Sequence, residues 1–316
     1  MSQLRELDAP AAGLVLLLSA LWGGHTVAVK IGLADAPPIA LAWMRFVLGG
    51  ACVVLWGWWT RAPFTLRPGE ASPLVWLGLL FTAQLGLLNV GTWLSTAGHA
   101  AVLVNVYPVH IVFIAHFLVP GDRLTPAKLG GVLLGYGGTL LLFWDQLVSL
   151  RVADPRMLAG DVILSLSALL LGLRQVVLNR QLQFIHPVKP LLAQVVIGTP
   201  LFVLLSAWLE PQTFHPTARL AASLFYQGVI IAGFNFIANM FLLKHYRPSA
   251  LAAFSLTTPL FGVLATALVI GEPITWALGL SALLVAGGIA LASLRPEPAA
   301  APARAATKAT RPRPAP

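Results

Sequence analysis

The sequence predicts an all-α integral membrane protein whose ten transmembrane helices form two inverted five-helix repeats. Of its 316 residues, 58% are apolar and 10% are charged, whereas soluble globular proteins carry about 25% charged residues. Long intervals contain no Asp, Glu, Lys or Arg: 21 residues separate Asp8 from Lys30, and 51 separate Glu70 from Asp122. A helix of about 20 residues crosses a hydrocarbon core about 30 Å thick, so these intervals predict one span and two spans, respectively.

The same criterion divides the rest of the chain. Three of the predicted spans are less clearly apolar, because the second contains Arg45, the fifth contains Lys128 near its start, and the sixth contains Asp161 and Arg174. The first span has an apolar stretch longer than the 7–15 residues typical of a signal peptide, so we interpret it as helix 1. The ten predicted spans are 10–33, 38–59, 73–93, 99–119, 124–144, 157–179, 188–209, 218–243, 249–270 and 274–294.

The distribution of Lys and Arg predicts the orientation, because cytoplasmic loops are enriched in these residues. One side of the membrane would receive fourteen of them: Arg5, Arg61, Arg67, Arg123, Lys128, Arg180, Lys189, Lys244, Arg247, Arg295, Arg304, Lys308, Arg311 and Arg313. The other side would receive four: Lys30, Arg151, Arg156 and Arg219. We therefore predict cytoplasmic termini in a bacterial inner membrane. This asymmetry also accounts for the net charge of +9, so no nucleic-acid partner is expected.

The second half of the chain repeats the first. A shift of about 150 residues aligns the turn Gly121–Thr125 with Gly271–Thr275, and Gly137-Gly138 with Gly287-Gly288. Because each half contains five spans, an odd number, the second copy is expected to be inverted. We predict a first repeat at 1–147, an inverted second repeat at 148–295, and a disordered Pro- and Ala-rich basic tail at 296–316. Inverted repeats are typical of secondary transporters, whose substrate site lies near the bilayer midplane.

Several local motifs give a family resemblance. Trp22-Gly23, Arg45-Phe46, Pro108 and the acidic Gly-Asp/Glu-x-Leu/Ile-Thr turns before helices 5 and 10 resemble the drug/metabolite transporter superfamily, specifically its EamA-type exporters. The tryptophan-rich chain also resembles exporters of aromatic amino acids. The resemblance implies alternating access through a central, mostly apolar cavity, with small metabolites as substrates, chiefly aromatic and other neutral amino acids.

Polar stripes on the predicted helices provide candidate substrate-binding residues. On helix 4, His99, Leu103, Tyr107 and His110 fall within an arc of about 80° at 100° per residue. Similar stripes occur on helix 3 (Thr82, Gly86, Asn89, Trp93) and on helix 8 (Gly228, Ala232, Asn235, Asn239), while helices 1 and 8 supply further polar and aromatic groups. The alternative is that these residues pack helices together, because small residues and amides also join transmembrane helices. The predicted binding set is Trp22, His25, Thr82, Asn89, Trp93, Tyr107, His110, Arg174, Tyr226, Gln227, Asn235 and Asn239.

Intramembrane charges leave two questions open. Arg45 and Arg174 lie within about 7 residues of a predicted helix end, so each could extend to the headgroups or face the interior. No acidic residue lies near the centre of a span, which favours facilitated diffusion, although His25 or His110 could carry a proton.

The chain shows no motif for cofactor chemistry. Its single cysteine, Cys52, excludes an intrachain disulfide and a cysteine-based zinc site, and no metal-ligand spacing or phosphate-binding loop is present. We therefore predict neither a cofactor nor a metal, and no enzymatic activity. The alternative function is an integral membrane enzyme or lipid-handling protein that uses His99, His110 and His116, although His116 points away from the other two.

Overall fold

A computed structural model describes residues 4–95, 103–142, 144, 155–211, 213–271 and 276–293. These residues are helical or lie in short connections, and none of them forms a β-strand. A single β-bridge joins Arg5 to Tyr246 within the described part. The predicted all-α class is confirmed. The predicted tail, the start of span 4 and the second acidic turn beyond Gly271 lie outside the described residues.

The described helices follow the predicted order. They are α1 (Ala9–Gly32), α2 (Pro38–Trp59), α3 (Ala71–Leu94), α4 (Tyr107–Leu118), α5 (Pro126–Leu142), α6 (Pro155–Gln181), α7 (Val188–Leu209), α8 (Ala218–His245), α9 in two pieces (Pro248–Ser255 and Thr258–Ile270), and α10 (Trp276–Ser293). Seven of them, α1 to α3 and α6 to α9, are long and apolar enough to cross a membrane. The described parts of α4, α5 and α10 have 12, 17 and 18 residues.

Capping groups and prolines set several helix boundaries. The Asp8 carboxylate accepts a 2.9 Å hydrogen bond from the Ala11 amide at the start of α1, and the Thr217 hydroxyl accepts one of 3.0 Å from Leu220 at the start of α8. Pro108 and Pro259 occupy the first turns of α4 and of the second piece of α9. Proline disfavours helical geometry in the residue before it, which explains why both helices begin anew there.

The middle of α8 is a π-helix. It spans Phe225–Asn235 and continues into the α-helix Phe236–His245. Because a π-helix bonds residue i to i+5, it changes which side chains share a face. Gly228 packs against Leu48 and Ala232 against Gly49, so this stretch of α8 lies closely on α2.

The helix contacts form matching pairs. Two helices pack on their own counterparts in the other half, α5 on α10 and α2 on α7. Other contacts occur as equivalent pairs, because α3 packs on α6 and α8 packs on α1. Likewise α1 contacts α9 as α6 contacts α4, and α2 contacts α8 as α7 contacts α3. Exchanging every helix with the one five places along therefore leaves this set of contacts unchanged.

Candidate functional site

One large cavity of about 2180 Å³ lies among the helices. At one end it reaches the α1–α2 and α7–α8 connections, where it is lined by Asp35, Pro37, Glu210 and Thr213. We call this the open end. At the opposite end its wall is formed by Leu178, Leu242, Leu243 and Leu251. These four leucines are buried, and this end, which we call the closed end, lies where residues 4–8 meet the α8–α9 turn.

Polar contacts fasten the closed end. The Arg5 amide donates a 2.9 Å hydrogen bond to the His245 carbonyl, and the Tyr246 hydroxyl donates one of 3.0 Å to the Asp8 carboxylate. Asn179 of α6 donates through its side-chain amide to the carbonyls of Leu243 and Tyr246. These bonds tie the N-terminal segment and α6 to the end of α8.

At the open end, ionic and capping contacts hold the loops. Arg219 donates two hydrogen bonds of 2.8 Å to Asp35, and Thr217 donates a third. The hydrogen bond from Arg219, supported by that from Thr217, lowers the pKa of Asp35 to about 2. The Glu210 carboxylate accepts hydrogen bonds from the Ile39 and Ala40 amides, and so caps α2 from the end of α7.

Most of the predicted binding residues line this cavity: Trp22, His25, Asn89, Tyr107, Arg174, Gln227, Asn235 and Asn239. Trp22 stacks on His25 with 5.0 Å between ring centroids and on Phe236 with 5.8 Å. Asn235 also joins two helices, because it donates to the Leu18 carbonyl of α1. Gln227 donates to the Ser223 hydroxyl of its own helix, and Ser223 in turn donates to the Ala28 carbonyl of α1. The packing and lining interpretations therefore both apply to α8.

Three predicted residues do not line the cavity. Thr82 donates its hydroxyl proton to the Gly78 carbonyl within α3, and Tyr226 donates to the Leu21 carbonyl of α1. His110 packs its Cβ against Gly172 of α6, where any added side chain would collide with it. Thr82, Tyr226 and His110 each contact a neighbouring helix, and their role in substrate binding stays a prediction. The side chain of Trp93 lies outside the described part.

Both intramembrane arginines face the interior. Arg45 and Arg174 line the cavity, and each guanidinium lies over an aromatic ring, that of Phe46 at 4.8 Å and that of Phe81 at 5.0 Å. Extension to the headgroups, the alternative left open by the sequence, is therefore excluded for both side chains.

Sequence reasoning did not single out Gln194. This residue accepts a 2.9 Å hydrogen bond from Arg174, and both side chains line the cavity. The internal repeat could have identified Gln194 as the counterpart of Arg45, because it follows Arg45 by 149 residues, just as Arg174 follows His25. His25 and Arg45 form the corresponding bond of 2.6 Å in the first half.

The histidines of the alternative function are not assembled. The His116 ring accepts a 3.1 Å hydrogen bond from the Leu124 amide at the closed end, and His99 lies outside the described residues. Within the described ranges, no group of three His, Cys, Asp or Glu side chains is placed to hold a metal.

A family model for EamA-like transporters matches the chain twice, at residues 9–144 and 158–294. The chain belongs to the EamA-like transporter family. It is accordingly a multi-pass membrane transporter of small molecules and not an enzyme, and its helices lie in a lipid bilayer. The two matches divide the chain between α5 and α6, close to the predicted boundary between the repeats.

Named relatives agree with this assignment. An uncharacterized transporter of Bacillus subtilis, YoaV, is 23% identical over 277 residues, covering 87% of this chain and 94% of the relative. A probable amino-acid metabolite efflux pump of Escherichia coli is 25% identical, covering 87% of this chain and 92% of the relative. A solved crystal structure with 21% identity superposes with a TM-score of 0.78 over 91% of this chain and 98% of that one, and it therefore has the same fold.

Proposed function

We propose that this EamA-like transporter exports small metabolites, chiefly aromatic and other neutral amino acids, by alternating access. The observation that carries the proposal is a large cavity between the two family-matched halves, which reaches the loops at one end and is walled by buried leucines at the other. A transporter of this kind must bind its substrate between two gates, of which one is closed at a time. The leucines and polar contacts of the closed end fit one such gate.

The architecture we propose is ten spans in two inverted repeats, residues 1–147 and 148–295. Two observations support it. The matching helix contacts are those expected when α1 to α5 and α6 to α10 are equivalent. In addition, α4 begins at Tyr107 and α9 restarts at Thr258, each immediately before a proline and each at the cavity wall. Discontinuous helices at corresponding positions are typical of transporter binding sites.

The excess of Lys and Arg places both termini in the cytoplasm of a bacterial cell, with the protein in the inner membrane. The closed end, which carries Arg5, Tyr246 and Arg247, then faces the cytoplasm. The open end faces outward. In an exporter, this conformation corresponds to the state that releases substrate.

The residues of the cavity wall favour amino acids with apolar side chains as substrates. Trp22, Phe46, Phe81 and Phe236 supply aromatic surface, and Asn89 and Asn239 add amides from opposite halves. An apolar pocket discriminates poorly between side chains of similar size, so several related substrates should be accepted. The carboxylates of the described cavity wall, Asp35 and Glu210, lie at the open end and are already hydrogen-bonded, which favours facilitated diffusion over coupling through a central acid.

Counterflow in proteoliposomes tests this function. Vesicles containing the purified protein are loaded with unlabelled phenylalanine, tyrosine, tryptophan, leucine or alanine, and uptake of the labelled compound is followed. We expect transient accumulation above that of protein-free vesicles, with recovery of the unmodified compound. Chemical conversion without accumulation would instead support the membrane enzyme, and accumulation of a single amino acid alone would contradict broad selectivity.

A further inference from the structure

Two arginine side chains face the cavity without a carboxylate partner among the described residues. Arg45 donates through Nη1 to His25 Nε2, and Arg174 donates through Nη1 to Gln194 Oε1. Because a guanidinium only donates, His25 must accept in this contact and is therefore neutral at Nε2. The Nε atom of each arginine is buried without a hydrogen-bond partner. The ion pairs of the described residues involve other side chains.

These arginines remain charged, because a guanidinium does not lose its proton under physiological conditions. A cation within the membrane is costly, and it is normally found paired or at a functional site. Neutral partners such as His25 and Gln194 satisfy individual N–H groups but do not neutralise the charge. Within the described part of the chain, the site therefore carries a positive charge that a bound anion would offset.

A chain of aromatic contacts connects the two charges. Arg45 lies over Phe46 at 4.8 Å, the Phe46 and Phe81 rings are 5.2 Å apart, and Arg174 lies over Phe81 at 5.0 Å. The sum of these three consecutive distances is an upper limit on the separation of the two guanidinium carbons, which is therefore no more than about 15 Å. Arg45 lies seven residues into α2 from the open end, whereas Arg174 lies seven residues from the closed end of α6. They face one cavity at two depths.

Two helix N-termini reinforce this positive potential. Tyr107 begins α4 and Thr258 begins the second piece of α9, and both line the cavity. The partial positive charge at a helix N-terminus favours anions, as at the discontinuous helices of transporters. Tyr107 also lies close to Arg174. A carboxylate placed here meets a full charge and a helix end together.

A substrate ammonium finds no corresponding partner at this depth in the described part of the wall. Asp35 is bound by Arg219 and Thr217, and Glu210 is bound by two amides of α2. Both belong to the open end. The neutral groups near the arginines, including Asn89 and Gln194, can accept from an ammonium but cannot neutralise it.

We propose that the charges of Arg45 and Arg174 select a substrate with a carboxylate, and that the species best bound is a small organic acid anion with an apolar body. A zwitterionic amino acid keeps the carboxylate contact but brings its ammonium close to the two guanidinium groups, so it binds more weakly than the same skeleton without the amine. This proposal rests on the proposed function and specifies the substrate class of the same cavity.

Three compounds with one aromatic skeleton test it: 3-phenylpropionate, L-phenylalanine and 2-phenylethylamine. Their binding to the purified full-length protein in detergent at pH 7 is measured by titration calorimetry. Because charge-assisted contacts at a desolvated site discriminate strongly, we expect 3-phenylpropionate to bind about threefold or more tighter than phenylalanine, and the amine not to saturate. Equal or tighter binding of phenylalanine, saturable binding of the amine, or no binding of 3-phenylpropionate would overturn the proposal.

Variants assign the effect to the two side chains. For Arg45→Gln and Arg174→Gln, we expect the dissociation constant of 3-phenylpropionate to rise about tenfold or more, because a charged partner is lost. Arg45→Lys and Arg174→Lys keep the charge and should bind better than the glutamine variants. Arg180→Gln, at an exposed position of the same helix as Arg174, is the matched control and should bind as wild type. Unchanged affinity in both folded glutamine variants would refute the assignment.

These experiments distinguish a failure of the proposed transport function from a failure of the proposed substrate class. Counterflow of phenylalanine, together with no preference for 3-phenylpropionate in calorimetry, would leave the exporter standing and overturn the anion proposal. Tight, arginine-dependent binding of 3-phenylpropionate without flux of any compound would support the anion site and contradict the transport function.

Discussion

Gly131 of α5 lies against the backbone of Gly288 of α10, with no room for a side chain between them. A Cβ on Gly131 would overlap the Gly288 carbonyl oxygen and approach the Ala292 amide to 2.6 Å. Glycine permits such close approach of transmembrane helices. These two helices belong to opposite halves, so this glycine contact joins the halves directly.

Gly131→Ala should therefore destabilise the protein. The added methyl group meets backbone atoms, which cannot move aside as a side chain can, and overpacking of this kind costs about 1–3 kcal/mol. Thermal unfolding in detergent measures the effect. Gly137→Ala is the control on the same helix, because nothing lies within 4 Å of its Cβ position, and it should unfold near the wild-type temperature. Equal unfolding temperatures for the two variants would contradict the close packing.

His110→Ala should lower stability but preserve transport per folded molecule. The substitution removes the imidazole ring, whose Nδ1 is buried, and keeps the Cβ that packs on Gly172 of α6; the residue does not line the cavity. Flux in proteoliposomes, normalised to folded protein, should stay within about twofold of wild type, since a packing change acts chiefly on unfolding. His25→Ala, which removes the contact with Arg45, should impair flux. Loss of flux in well-folded His110→Ala would place this residue in the pathway.

Trp22→Ala should weaken the binding of aromatic substrates more than that of leucine. Trp22 lines the cavity, stacked on His25 and Phe236, where its ring can contact a bound aromatic ring. An aromatic pair contributes about 0.5–1.5 kcal/mol beyond area burial, which corresponds to a two- to tenfold change in affinity. Competition in counterflow measures it. Trp208→Ala, outside the cavity wall on α7, should leave the ratio of affinities unchanged.

Asp35→Asn should destabilise the protein at neutral pH but not in strong acid. The hydrogen bonds from Arg219 and Thr217 lower the folded-state pKa of Asp35 below its unfolded value of 3.8, to about 2. The ionised carboxylate therefore stabilises the fold above pH 4, and this contribution is lost as the pH falls from about 4 to about 2. Thermal unfolding of both proteins at pH 7 and pH 2.5 should show the difference shrinking. A constant difference would contradict this role for the ion pair.

The sequence predicted the helices well because membrane crossing imposes a strong constraint on composition. It also predicted that Asn89 and Asn239 would reach the cavity, because the repeat gave their equivalence. Helical periodicity did not separate Thr82 from Asn89, since two residues seven apart share a face while contacting different neighbours. Thr82 faces Gly198 of α7, a contact that only the packing of the helices determines.

The π-helix and the arginines show a second limit of sequence reasoning. The face of α8 was predicted at 100° per residue, but the π-helix Phe225–Asn235 turns more slowly, and Tyr226 consequently contacts α1. The direction of Arg45 and Arg174 could not be deduced from distance to a helix end. It depends on partners in other helices, and the informative signal was the 149-residue spacing that pairs His25 with Arg174 and Arg45 with Gln194.

The closed end offers the most direct test of alternating access through this cavity. Arg5 and Tyr246 form a parallel β-bridge there, and bridged strands lie about 4.7–4.9 Å apart, within the range for a disulfide. Arg5→Cys with Tyr246→Cys is made in a Cys52→Ser background, which removes the native free thiol, with the two single-cysteine variants as controls. The measurement is counterflow in proteoliposomes before and after reduction. We predict background flux in the cross-linked protein and recovery on reduction, whereas undiminished flux with a complete cross-link would contradict the account.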